Sequence, residues 1–195
     1  MKHYLHIILS FTVFLFLISC GNYNKLQKTN NYDYKYEAAK QYYFEGQYNR
    51  ASLFLQDVIA TFKGTNKGEE SLFLSGMSSY KARNYNAAMS FFRKYYQSYL
   101  RGLYTEKAHF YCGMSLYKNI PEVKLDQSAT YEAISEFQEF LELYPGSVLS
   151  AEVQEIIFKL QDRLVEKEYL SAKLYYDLGS YFLNCSKYRS NYSKI

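Results

Sequence analysis

The chain has 195 residues, with 23 Lys and Arg against 19 Asp and Glu for a formal charge of +4. That length suits one domain or a short array, and so small and evenly spread a charge excludes a nucleic-acid surface built on basic density. There are 24 Tyr and 14 Phe but no Trp and only two Pro, and scarce Pro with abundant Lys, Glu, Leu and Ala favours helices.

The chain opens on a weak positive start at Lys2, followed by the apolar run Ile7 to Ile18. The run is too short to span a bilayer, which takes about twenty apolar residues, but it suits the core of an export signal. Leu17-Ile18-Ser19-Cys20-Gly21 then resembles a bacterial lipobox. The resemblance implies a signal peptide over 1–19, diacylglycerol on the Cys20 sulfur and acylation of the new amino terminus. Several acyl chains anchor stably where one would be marginal. Gly21 and the lack of an acidic run after it point to the outer membrane, periplasmic face. Residues 20–32 are polar and rich in Asn and Lys, the composition of a flexible tether.

From there the chain repeats itself. Gly76-Met77-Ser78-Ser79-Tyr80 recurs 37 residues later as Gly113-Met114-Ser115-Leu116-Tyr117, and the same step links Tyr48-Asn49-Arg50-Ala51 to Tyr85-Asn86-Ala87-Ala88. A unit this short cannot bury its own apolar face, so copies must stack. The pattern of small and large residues is that of the tetratricopeptide helical hairpin. The expected fold over 33–181 is therefore all-α, with about three full units and an incomplete fourth. In the first, Ala39, Tyr42 and Tyr43 lie on one helix, Gly46-Gln47 turns, and Ala51, Leu55 and Val58 lie on the next; Gly64 ends it. In the second, Arg83-Asn84 replaces the Gly-bearing turn, and Asn tolerates the left-handed conformation well. In the third, eight extra residues within Asn119 to Thr130 lengthen the loop, and the second helix resumes at Tyr131. Val153, Ile156, Ile157 and Leu160 mark an amphipathic helix. The pattern fails beyond Tyr181, leaving 182–195 as an irregular tail.

Gln161-Asp162-Arg163-Leu164-Val165-Glu166-Lys167-Glu168-Tyr169 with Ala172, Tyr175 and Gly179, and Ala133-Ile134-Ser135-Glu136-Phe137 ending in Tyr144-Pro145-Gly146, resemble the BamD family of the outer-membrane β-barrel assembly machinery. The likeness covers about 20–181. It implies a non-enzymatic, lipid-anchored assembly factor that recognises unfolded outer-membrane β-barrel proteins and docks to the POTRA region of BamA. The family has five units and this chain stops during the fourth, as a truncated product would. The rival is another periplasmic lipid-anchored tetratricopeptide scaffold, serving cell division or envelope maintenance.

Counting along the repeat places twelve residues on a peptide-binding groove: Tyr36, Lys40, Tyr43 and Phe44; Phe73, Met77, Tyr80 and Lys81; Phe110, Met114, Tyr117 and Lys118. Aromatic and Met side chains with a Lys at each step suit an extended peptide ending in an aromatic residue and a carboxylate. The same side chains also suit space-filling between helices. Nothing in the spacing of Cys20, Cys112 and Cys185 marks a metal site. Cys112 suits a buried thiol, and Cys185 is able to pair with it in an oxidising compartment. His109 has no catalytic neighbour in the sequence and suits a structural or surface place. Glu132, Glu136, Glu139 and Glu142 read as a solvated helix face. Neither catalysis, a cofactor beyond the covalent lipid, nor a small-molecule substrate is expected.

Overall fold

The computed structural model describes residues 26–178. The lipobox with Cys20, the signal before it, and the tail with Cys185 lie outside the described residues. All regular structure among the described residues is helical: α1 (Tyr32–Phe44), α2 (Tyr48–Thr61), α3 (Asn66–Lys81), α4 (Tyr85–Ser98), α5 (Thr105–Lys118), α6 (Ser128–Leu143) and α7 (Ser150–Asp177). They form two compact units divided between Ala82 and Arg83. Within each, consecutive helices pack on one another, as in tetratricopeptide-like repeats.

In the first unit, the Asn31 side chain caps α1 by accepting from the Tyr34 amide at 2.9 Å. Gly46, at φ 77°, turns the chain into α2. Ala39 and Ala51 are fully buried beside Phe54 and Leu55, the small residues letting the two helices approach. Leu26 joins this core at 2% exposure, so the expected tether is packed at that point. One apolar residue in a polar stretch shows no period, and only the cavity it fills reveals its role. Gly64, at φ 79°, ends the α2–α3 turn as expected. Thr65 then caps α3 by accepting from the Gly68 amide. A Cβ on Gly68 would stand 2.1 Å from the Phe62 carbonyl oxygen, so only glycine closes this turn. Sequence reasoning passed over Gly68, because a glycine inside a helical pattern carries no signal of what crosses it.

At the second repeat's turn the left-handed residue is Arg83, at φ 61°, and not Asn84. Asn84 keeps φ −86° and instead caps α4 by accepting from the Ala87 amide. The repeat register explains the correction: 37 residues separate Arg83 from Gly46 and Asn84 from Gln47, the residue preceding α2.

In the second unit, Phe110, Leu116, Ala133, Phe137, Phe140, Val153, Ile156, Ile157 and Leu160 form one core shared by α5, α6 and α7. α6 starts at Ser128, three residues before the expected Tyr131. The long loop before it is tied inward by Gln127, whose amide donates to the carbonyls of Glu122 (2.9 Å), Val123 (3.3 Å) and Leu125 (3.1 Å). Arg163 of α7 closes the loop by donating to the Pro121 carbonyl and, at 3.1 Å, to Gln127 Oε1. α7 buries Val153, Ile156, Ile157 and Leu160, while further along Val165, Tyr169, Leu174, Tyr176 and Leu178 are exposed. No helix among the described residues is long and apolar enough to cross a membrane.

Candidate functional site

The twelve expected groove residues divide by burial. Tyr36, Phe73, Met77 and Phe110 are buried and take the space-filling role that the sequence also allowed. Phe44 is 78% exposed, Lys81 and Lys118 are exposed, and Lys40, Tyr43, Tyr80, Met114 and Tyr117 are half-buried.

In the first unit Tyr36 and Lys40 are bound up in packing. The Tyr36 hydroxyl donates to Glu70 of α3, and Lys40 Nζ lies 2.9 Å from the same carboxylate and 3.3 Å from the Tyr36 oxygen. Burial opposes ionisation of Glu70, but the Tyr36 and Lys40 donors hold it below the usual carboxylate range. The Tyr36 phenol is pushed up by burial first and by Glu70 second. This triad ties α1 to α3, as Lys35 with Asp57, at 2.8 Å, ties α1 to α2. At the end of α1, Tyr43 meets Phe44 and Tyr48 edge-on, with ring centroids 5.7 Å away in both cases. Phe44 therefore stands out from a fixed aromatic base.

In the second unit Tyr117 and Lys118 line a cavity of about 520 Å³ together with Lys159, Asp162, Arg163 and Glu166 of α7. The Lys118 ammonium lies over the Tyr117 ring at 5.5 Å, a cation–π contact. Lys159 pairs along its own helix with Glu155 at 2.6 Å. The lining thus sets the Tyr117 ring and the Lys118 ammonium beside the carboxylates of Asp162 and Glu166.

A second polar cluster sits among α4, α5 and α6. Glu136 is buried and not part of a solvated face: its carboxylate accepts from the Tyr96 hydroxyl at 2.8 Å and from Arg93 at 3.0 Å. Arg93 also reaches Glu132 at 3.1 Å. Helical spacing groups Glu132, Glu136 and Glu139 on one side of α6, but it takes Arg93, Tyr96 and His109 from other helices to make burial of the middle one affordable. Burial works against ionisation of Glu136, yet His109, Tyr96, Cys112 and Arg93 together hold its carboxyl down at about 2. His109, only 1% exposed, stacks on Tyr96 with centroids 4.4 Å apart and meets Phe140 and Tyr144 edge-on. Its Nε2 is 3.3 Å from Glu136 Oε1, but neither ring nitrogen has an aligned hydrogen-bond partner among the described residues. Cys112 is buried, and burial pushes its thiol far up, with Glu136 adding to the effect. The thiolate needed for nucleophilic or metal chemistry is therefore suppressed. No group of three His, Cys, Asp or Glu fit to hold a metal occurs among the described residues.

No curated protein matches the chain. A family model, YfiO, described as outer membrane lipoprotein, matches residues 28–190. That span takes in every helix described above and the Arg163 stretch whose motif resembles the BamD family, so the chain belongs to the YfiO, BamD-like family of outer membrane lipoproteins.

Proposed function

We propose that the protein is an outer-membrane assembly factor, held by lipid at Cys20, that recognises unfolded β-barrel substrates and docks to the POTRA region of BamA. The observation that carries this is membership of an outer membrane lipoprotein family across residues 28–190 by a chain of helical hairpins. In the first unit Lys40, Tyr43, Phe44, Tyr80 and Lys81, and in the second Met114, Tyr117 and Lys118, are the expected peptide-contacting residues that keep solvent-accessible surface. The Tyr117–Lys118 cavity supports a carboxyl-terminal aromatic residue as its guest, with the Lys118 ammonium for its carboxylate. The exposed apolar side chains toward the end of α7, Val165, Tyr169, Leu174, Tyr176 and the following Leu178, support docking to BamA through hydrophobic burial.

Affinity purification from detergent-solubilised membranes tests the assignment. BamA should be recovered with the protein, and less of it after Tyr169→Asp with Leu174→Asp. A peptide copying the last strand of a barrel protein should bind, and should lose most of its affinity when Tyr117→Ala and Lys118→Ala are combined. Recovery of division or cell-wall proteins in place of BamA would overturn the assignment.

A further inference from the structure

The three most exposed large apolar side chains among the described residues are Val148 at 95%, Leu103 at 81% and Leu100 at 79%. All three stand on two loops of the second unit, 99–104 between α4 and α5 and 144–149 between α6 and α7. Connections this short make successive helices antiparallel, so both loops fall at the same end of the unit. There the Ser147 hydroxyl, 2.5 Å from a Glu106 carboxylate oxygen, joins the second loop to the start of α5. Surface loops are ordinarily polar, yet Arg101 is the only charged residue in either of these. The loop at the opposite end, 119–127, carries Glu122, Lys124 and Asp126. Both apolar loops are also braced. The Tyr104 amide donates to the Tyr95 hydroxyl at 3.1 Å, and the Thr105 hydroxyl donates to the Tyr99 and Gly102 carbonyls at 2.6 Å and 2.9 Å. In the second loop the Leu149 amide donates to the Ser147 hydroxyl at 3.1 Å.

Aliphatic tips held out on braced, nearly uncharged loops have the form of an interfacial membrane contact. Half-buried Tyr99, Tyr104 and Tyr144 flank them, and tyrosine rings are suited to the headgroup level. Arg101 brings a positive charge, which suits lipid phosphate. A bilayer is also what membership in an outer membrane lipoprotein family sets beside the chain. We infer that this end of the second unit dips Leu100, Leu103 and Val148 into the bilayer, as a second attachment beyond the lipid on Cys20. The inference rests on the anchoring proposed above, and not on the peptide or BamA contacts. Burial of aliphatic surface drives the contact, so salt leaves it largely unchanged.

The chain has no Trp, so a single introduced Trp reports its own surroundings. The test uses the lipid-anchored chain in vesicles of phosphatidylethanolamine and phosphatidylglycerol, as Leu103→Trp, Val148→Trp and, at the opposite end of the unit, Leu125→Trp. The first two variants should emit further to the blue and lose most of their emission when the acyl chains carry bromine. Leu125→Trp should keep its emission. Adding Leu100→Asp and Leu103→Asp to Val148→Trp should restore most of the lost emission, with the helical spectrum unchanged. Anchored protein whose loop probes escape quenching, or quenching as strong in Leu125→Trp, would overturn the inference alone. A blue shift without bromine quenching would set the loops against protein and overturn the bilayer as partner. A chain found by mass to lack lipid at Cys20 would overturn the proposed anchoring and, with it, the second attachment.

Discussion

Replacing Gly113 by Ala probes the packing that the repeated Gly-Met-Ser-x-Tyr motif serves. A Cβ there would stand 2.6 Å, 2.8 Å and 3.0 Å from Cε1, Cδ1 and Cζ of Phe137. Carbon atoms in a good contact are about 3.5–4.0 Å apart, so the ring would have to retreat by about 1 Å. Phe137 is fully buried and belongs to the core with Phe110, Phe140 and Leu160, which leaves nowhere to retreat. Overpacking of this kind costs about 1–3 kcal/mol, here toward the upper part of that range. The helix interior returns about 1 kcal/mol because Ala is the better helix former. The net expectation is a loss of about 1–2 kcal/mol, read from urea unfolding followed by circular dichroism. The companion variant Phe137→Leu removes the obstructing ring atoms at its own cost. In that background Gly113→Ala should lose its penalty and gain up to about 1 kcal/mol. Equal destabilisation in both backgrounds, or no destabilisation in the parent, would refute the steric account.

Four further outcomes are expected. The Glu136 carboxyl, lowered from 4.5 to about 2 in the folded protein, contributes stability that is present above pH 4.5 and lost as pH falls toward 2. At about 1.4 kcal/mol per pH decade this amounts to about 3 kcal/mol, so Glu136→Gln should flatten the acid limb of a stability–pH curve, and parallel curves would count against it. Arg83→Gly should stabilise by about 0.5–1 kcal/mol, relief of the left-handed strain exceeding the added chain entropy. Gly46→Ala, where a Cβ meets nothing within 4 Å, should lose about 1 kcal/mol through backbone strain alone; both are measured by thermal unfolding. Arg163→Ala should release the 119–127 loop, with faster amide exchange there than in α5 and a loss of about 1.5–3 kcal/mol; unchanged protection would show the latch to be dispensable.

By itself the sequence determined the repeat. Small and large residues at a step of 37, with Gly46 and Gly64 at the turns, dictate helical hairpins because these are local demands of helix packing and backbone conformation. It also carried the family likeness, which rests on residue order alone. Cys112 as a buried thiol was legible too, since it stands beside the packing Gly113. Tertiary structure decided whatever depends on which helix faces which. It buried Tyr36, Phe73, Met77 and Phe110 while leaving Phe44 and Lys118 at the surface, although all six satisfy the same count along the repeat. It made Arg83 the left-handed residue in place of Asn84, because the register inherited from Gly46 outranks the preference of the side chain. It drew Glu136 out of an apparently solvated row by bringing Arg93, Tyr96 and His109 to it from α4 and α5. Burial and pairing are properties of neighbours distant in the chain, and a helical period counts only neighbours along it.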